Sequence, residues 1–172
     1  VVKAIQHGYT SVMFDGSNLP FEENVARTKQ VVEVAHSVGV SVEAELGTIG
    51  GAEGAVNAGE MMLTPPDKAV EFVERTGCDV LAVAIGTAHG VYQGTPTLDF
   101  DRLAQINELV DAPLALHGGT GLSDEDFRKC ISLGIRKVNI YTQLNLSAVE
   151  SIRGTLEATP GFTDFPALLL GA

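Results

Sequence analysis

The sequence predicts an α/β fold built on a parallel sheet. Short β-branched runs recur along the chain, segments of helical periodicity lie between them, and many of the 19 glycines mark the changeovers. The runs are near-continuously apolar, as strands covered on both faces require.

Taken in order, residues 1–6 read as the end of a helix closed by Gly8, and residues 10–14 as the first strand. Residues 22–38 follow with Val25, Val31, Val32, Ala35 and Val38 on one side and Gly39 as the stop. The second strand is 40–46. Residues 47–66 have little periodicity and contain Gly-Thr-Ile-Gly-Gly-Ala-Glu-Gly, which reads as a long mobile loop of functional character. A helix at 67–76 turns Ala69, Val70 and Val73 inward and stops at Gly77, ahead of a strand at 80–85. Phe100, Leu103, Ile106 and Val110 define a helix over 99–110, then a strand at 113–116. The Ser-x-x-Asp at Ser123 opens a helix over 123–133, stopped by Gly134. The last strand is expected at 137–141, with Lys137 at its start, and the last helix at 142–156 with Leu146, Val149, Ile152 and Leu156.

Composition narrows the function. The 172 residues are 45% hydrophobic and 19% charged, enough for a sizeable core and too apolar for disorder. No apolar run approaches the ~20 residues that span a bilayer, and no signal peptide is visible. With 11 basic against 22 acidic residues the net charge is −11, and the cations occur singly, which argues against nucleic acid as a partner. An anionic metabolite remains open, because backbone amides and a metal can hold one. Two cysteines, Cys78 and Cys130, make no framework or metal spacing, so buried free thiols and a cytoplasmic location are expected.

Five strand–helix units suit two architectures. One is a doubly wound sheet standing alone. The other is a (β/α)₈ barrel of about 250 residues, of which some three units would be missing. The chain opens on Val1 inside a helix and ends on an apolar tail at 167–170, so both ends look cut and favour the barrel.

In both architectures the chemistry lies at the carboxyl ends of the strands, and polar residues and glycines gather there. His89 and His117 each end a strand and precede a glycine. Two imidazoles can bind Zn²⁺ at about 2.0–2.1 Å, although catalytic zinc uses a third protein ligand, and two structural histidines explain the spacing equally. His7 and His36 read as surface or packing residues. Asp15 and Glu45 can orient such histidines, hold metal or cap helices. Glu43 shares a strand face with Glu45, so the period of two cannot choose between them, though Glu45 is nearer the end. Gly118-Gly119-Thr120-Gly121 offers amides and a hydroxyl to a phosphate, as does the run from Asn139 to Thr142. A tight structural turn would explain the glycines as well.

Together the stretches FDGSNLPFEENVARTK, VSVEAELGTIGG, LAVAIGTAHGVY, PLALHGGTG and KVNIYT resemble the class II, metal-dependent fructose- or tagatose-bisphosphate aldolases over nearly the whole chain. The resemblance implies a single partial (β/α)₈ TIM-barrel domain over 1–172, carrying about strands four to eight. It implies Zn²⁺ held by His89 and His117, with Asp15 and Glu45 at positions that bind a second or displaced metal, and a monovalent cation (Na⁺ or K⁺). Gly90, Gly118, Gly119, Thr120, Asn139, Ile140, Tyr141 and Thr142 would bind the phosphorylated sugar. Asn139 would stabilise the enediolate and Glu53, in the glycine-rich loop, would take part in proton transfer. The implied reaction is reversible aldol cleavage of a ketose bisphosphate to dihydroxyacetone phosphate and glyceraldehyde 3-phosphate, in a homodimer or homotetramer of glycolysis or related carbohydrate metabolism.

The family's Asp-His pair, source of the principal acid/base and the first zinc ligand, is expected upstream of Val1, and no Asp-His dipeptide occurs in the chain. The isolated 172 residues are therefore expected to be inactive and poorly soluble. Two other readings compete: an accessory phosphate-binding barrel fragment without turnover, and a standalone doubly wound phosphate-binding protein.

Overall fold

The computed structural model describes residues 1–51, 62–90, 94 and 96–171. They form two compact units, Val1–Asn139 and Ile140–Ala172. In chain order the strands are β1 (Ser11–Phe14), β2 (Ser41–Leu46), β3 (Gly50–Gly51), β4 (Val80–Val83), β5 (Ala88–His89), β6 (Leu114–Leu116) and β7 (Ile135–Val138), all in the first unit. Five of them make one parallel sheet in the order β1-β2-β4-β6-β7, and β3 pairs with β5 in a separate parallel ribbon.

The first unit's helices are α1 (Val2–Gln6), α2 (Phe21–His36), α3 (Pro66–Thr76), α4 (Phe100–Leu109) and α5 (Asp124–Ser132). Strand order in space follows strand order in sequence and never reverses. From α2 to α5 each helix packs on the next, so they line one face of the sheet. Right-handed crossovers that always step the same way produce that result. A doubly wound sheet needs a reversal and helices on both faces, so that alternative is overturned. The winding is that of a (β/α)₈ barrel wall.

Val42, Ala44 and Leu46 of β2 face the helices and pack in the core with Val25, Val32, Ala35 and Phe72. Glu43 and Glu45 alternate onto the opposite, inner face. The register carries that face across the sheet, from Glu45 through Ala82 and Ala115 to Lys137. Between Leu114 and Ala115 the register slips, leaving Arg136 of β7 without a partner while Ile135 pairs with Leu114 and Lys137 with Ala115. A bulge of this kind re-aims the residues beyond it, and it turns Lys137 and Asn139 inward.

Most elements stand within two residues of expectation, and the departures have local causes. The last strand starts at Ile135 rather than Lys137, because Gly134 at φ +116° turns the chain directly into it. Lys137 therefore sits near the strand's end, not its start. On α2 the buried positions include Asn24 and Thr28, while Val38 lies beyond the helix and is 59% exposed. Asn24 is satisfied by donating from Nδ2 to the Glu45 carbonyl (3.0 Å) and accepting from Thr28 at Oδ1 (3.0 Å). Phe72 takes the central place on α3, with Val70 and Val73 at its margin.

The second unit contains α6 (Thr142–Ala158) and α7 (Phe165–Leu170). The apolar tail is thus helical, started by Asp164, whose Oδ1 accepts from the Ala167 amide at 3.1 Å. Among the described residues no helix is long and apolar enough to cross a membrane.

Candidate active site

His117 follows β6 directly and is buried. Its Nε2 lies 2.7 Å from Glu43 Oε1. A carboxylate oxygen only accepts, so Nε2 carries the hydrogen and, in the neutral ring, Nδ1 holds the lone pair. That Nδ1 stands 3.6 Å from Glu45 Oε2. Asn139 Nδ2 donates to the same Glu43 Oε1 (2.9 Å), which places the two donors 2.8 Å apart along one side of a triangle. Lys137 Nζ donates to Glu43 Oε2 and to Asn139 Oδ1 (2.6 Å for the latter), fixing which end of the amide is which.

The two glutamates titrate in opposite senses. Burial acts to raise Glu43, but the hydrogen bonds and charges of His117 and Lys137 outweigh it and hold the carboxyl below its ordinary value. Among the described residues no lysine or arginine pairs with Glu45 as Lys137 does with Glu43. Burial, then the charges of Asp15 and Glu43, push it from the ordinary 4.5 up to about 8, against a hydrogen bond from Ser17.

His89 ends β5, and its ring centroid is 6.0 Å from that of His117. β5 pairs with β3 so that Gly51 lies opposite His89. Gly50 and Gly51 therefore run alongside Ala88 and His89. The base of the glycine-rich segment is closed where Thr48 accepts from Met62 N at Oγ1 (2.7 Å) and donates to Met62 O from its own amide (2.9 Å). Glu53 lies outside the described residues.

Gly118 has φ +68°, and a Cβ there would meet the Ala88 carbonyl oxygen at 2.5 Å. Only glycine lets the end of β6 approach β5 this closely, which is how the two imidazoles come together. Gly119 and Thr120 are buried behind it. Gly90 has φ +87°, and among the described residues nothing lies within 4 Å of where a Cβ would stand. Asp15 is exposed and uses Oδ1 to accept from the Ser17 amide at 2.9 Å, reaching Glu45 through its charge alone.

Two helix starts follow glycine or polar runs, and they differ. α5 is closed by a full capping box: Ser123 Oγ accepts from Asp126 N and Asp126 Oδ2 accepts from Ser123 N, both at 3.1 Å. Asp124, Glu125 and Asp126 crowd its first turn, so its dipole is already answered by carboxylates. In the second unit, α6 starts at Thr142 after Tyr141 with no side-chain cap and no acid in its first turn. Its amides are the better match to an anion. Ile140 and Tyr141 before it are exposed.

His36 pairs with Asp79 (2.8 Å) at the surface, and both cysteines are buried free thiols, as expected. Glu43 and Lys137 are the site residues that sequence reasoning passed over. The period of two had already put Glu43 on the correct face. For Lys137 the bulge left no readable signal.

Zinc fits the imidazole pair in donor chemistry, since Glu43 commits the far nitrogen of His117 and leaves Nδ1 as a lone-pair donor. Among the described residues no cluster of three or more His, Cys, Asp or Glu is arranged to hold a metal. A pair of imidazoles is by itself one protein ligand short of the three that catalytic zinc uses.

The model of the family described as Fructose-bisphosphate aldolase class-II matches residues 1–169. A protein named "Probable fructose-bisphosphate aldolase" from Bacillus subtilis (strain 168) is 50% identical over 98% of this chain and 59% of its own length. The D-tagatose-1,6-bisphosphate aldolase subunit GatY of Klebsiella oxytoca is 49% identical over 93% of this chain and 57% of its own. The crystal structure of the YdjI aldolase from Escherichia coli K12 superposes with a TM-score of 0.83 at 42% identity, covering 99% of this chain and 58% of that one. The chain spans somewhat under three-fifths of the length of these relatives, and over that span it belongs to the class II fructose-bisphosphate aldolase family.

Proposed function

We propose that this chain forms the later strand–helix units of a single barrel domain in a zinc-dependent aldolase. The enzyme would reversibly cleave a ketose 1,6-bisphosphate, fructose or tagatose, to dihydroxyacetone phosphate and glyceraldehyde 3-phosphate. The observation that carries the reading is the strand-end cluster in which Glu43 orients both His117 and Asn139 beside His89. His89 and His117 would hold Zn²⁺, with Asp15 and Glu45 as acidic positions for a second or displaced metal. Bound there, zinc would act as a Lewis acid on the ketone and hydroxyl oxygens.

In cleavage the C3–C4 bond breaks. The C4 hydroxyl loses its proton and becomes the aldehyde carbonyl, while the bonding pair passes into the ketone fragment as an enediolate that is later protonated at C3. Asn139 spends one Nδ2 hydrogen on Glu43 and keeps the other for the developing oxyanion. Proton exchange at the C4 oxygen is assigned to Glu53 and to the aspartate of the family's Asp-His pair, which this chain does not contain. Lys137 makes no Schiff base, because its Nζ is engaged by Glu43 and Asn139. The glycine-lined backbone of Gly90, Gly118, Gly119 and Thr120 takes the dihydroxyacetone phosphate, with a monovalent cation beside it. The segment Ile140, Tyr141 and Thr142, leading into α6, whose first turn holds no acid, takes a phosphate. The setting is cytoplasmic carbohydrate metabolism, glycolysis included, in a homodimer or homotetramer.

The test follows exchange of the enolisable hydrogen of dihydroxyacetone phosphate in deuterated water, with the natural full-length polypeptide. Exchange should appear with zinc, vanish with a chelator and return on adding zinc back, and His117→Ala should abolish it. Absence of exchange at full zinc occupancy overturns the assignment and favours the accessory phosphate-binding reading.

A further inference from the structure

We propose that Lys137 is a positioning residue that sets the geometry of the site through Glu43 and Asn139 without touching the substrate. This rests on the aldolase reading above. Glu43 is a carboxylate 2% exposed. Its Oε1 receives His117 Nε2 at 2.7 Å and Asn139 Nδ2 at 2.9 Å, and Lys137 is the donor on Oε2. A buried carboxylate with one oxygen unmatched is costly and free to turn about its last torsion. Lys137 removes that freedom.

The same ammonium donates to Asn139 Oδ1 at 2.6 Å. Amide oxygen and nitrogen are nearly isosteric, so a fixed donor on the oxygen makes Nδ2 the end that faces Glu43 and the site. One cation thus closes a ring of three side chains, Glu43, Asn139 and Lys137, with His117 bonded to its Glu43 corner. Through this ring the tautomer of His117 and the direction of the Asn139 donor are set together. The arrangement depends on the β7 bulge, which alone brings Lys137 to the inner face. The ammonium lies at the outer side of the ring, with its side chain 46% exposed, so its removal leaves the helix-facing core intact.

The test compares Lys137→Met and Lys137→Arg in the natural full-length polypeptide. Losing a partner that orients metal ligands typically costs about 10–100-fold in activity or metal affinity. Lys137→Met should lower kcat by that factor while KM for the ketose bisphosphate moves less than about twofold. Lys137→Arg, which retains charge and two-pronged donation, should recover much of the loss. The second readout needs no turnover: ¹⁵N spectra of the zinc-free protein should show His117 as a single Nε2–H tautomer in the wild type and as a mixture in Lys137→Met. An unchanged kcat with an unchanged His117 spectrum overturns the proposal, as does an activity loss that merely tracks melting temperature. So does Lys137→Arg as impaired as Lys137→Met, since the ammonium would then act on substrate directly. Should the wild type itself lack turnover, the aldolase reading falls while the ¹⁵N comparison still decides the role of Lys137.

Discussion

Glu43 and Glu45 are the same residue type, two positions apart on one strand face and equally buried, yet their carboxyls are driven in opposite directions. Glu43 has a cation and two further donors, whereas Glu45 has two neighbouring negative charges. Glu45 rises to about 8, so across the interval from the ordinary 4.5 to that value the folded chain holds a proton that the unfolded chain has released. Stability then falls as pH rises through this window and levels off above it. Urea midpoints taken in chelator should show that decline, and Glu45→Gln, which is neutral throughout, should flatten it. A decline that survives Glu45→Gln would place its source elsewhere. Gly118 carries a second expectation at this scale. Gly118→Ala must relieve both φ +68° and a 2.5 Å approach to the Ala88 carbonyl. It should cost about 1–3 kcal/mol, read as a lowered denaturation midpoint, and separate the two imidazoles enough to weaken zinc binding. A variant of wild-type stability and zinc affinity would show that β5 can yield.

The elements show where such contacts could be read in advance and where they could not. His89, His117 and Asn139 were visible because parallel strands deliver polar residues at their carboxyl ends, and only boundaries good to a few residues are needed to see that. Glu43 was visible but ambiguous, since periodicity gives a face and not a partner. Lys137 was hidden by a single slip of register between Leu114 and Ala115, for bulges depend on pairing with another strand and leave no local pattern. Buried Asn24 and Thr28 on α2 escaped for a related reason: an amphipathic stripe is drawn through apolar residues, while these two bury polar groups satisfied at a distance. The start of α5 was the opposite case, because a capping box is local in sequence. Ser123→Ala should remove two of the three hydrogen bonds between Ser123 and Asp126 and cost about 1 kcal/mol, seen as a lower urea midpoint at constant slope. It should leave phosphate affinity intact, because the carboxylates of Asp124, Glu125 and Asp126 already make that helix end a poor anion site. Loss of phosphate binding in this variant would reverse the preference for α6.

Over the whole molecule, the unbroken order β1-β2-β4-β6-β7 turns one way only, so the inner-face row from Glu45 to Lys137 faces the interior that a closed barrel would fill. Among the described residues that sheet is open, with β1 and β7 as its edges. Two consequences follow for the 172-residue polypeptide taken by itself. Unpaired strand edges are templates for association, so it should sediment as a concentration-dependent mixture. Among the described residues no third protein ligand joins the two imidazoles, so zinc should bind weakly, and without the Asp-His pair the principal acid/base is missing. Given zinc and ketose bisphosphate, this polypeptide should release no dihydroxyacetone phosphate, while the natural full-length protein should release it in a chelator-sensitive reaction. Cleavage by the 172 residues alone would mean that Glu45, Asp15 or Glu53 completes the metal sphere and moves the proton, and single substitutions at those three would then identify which.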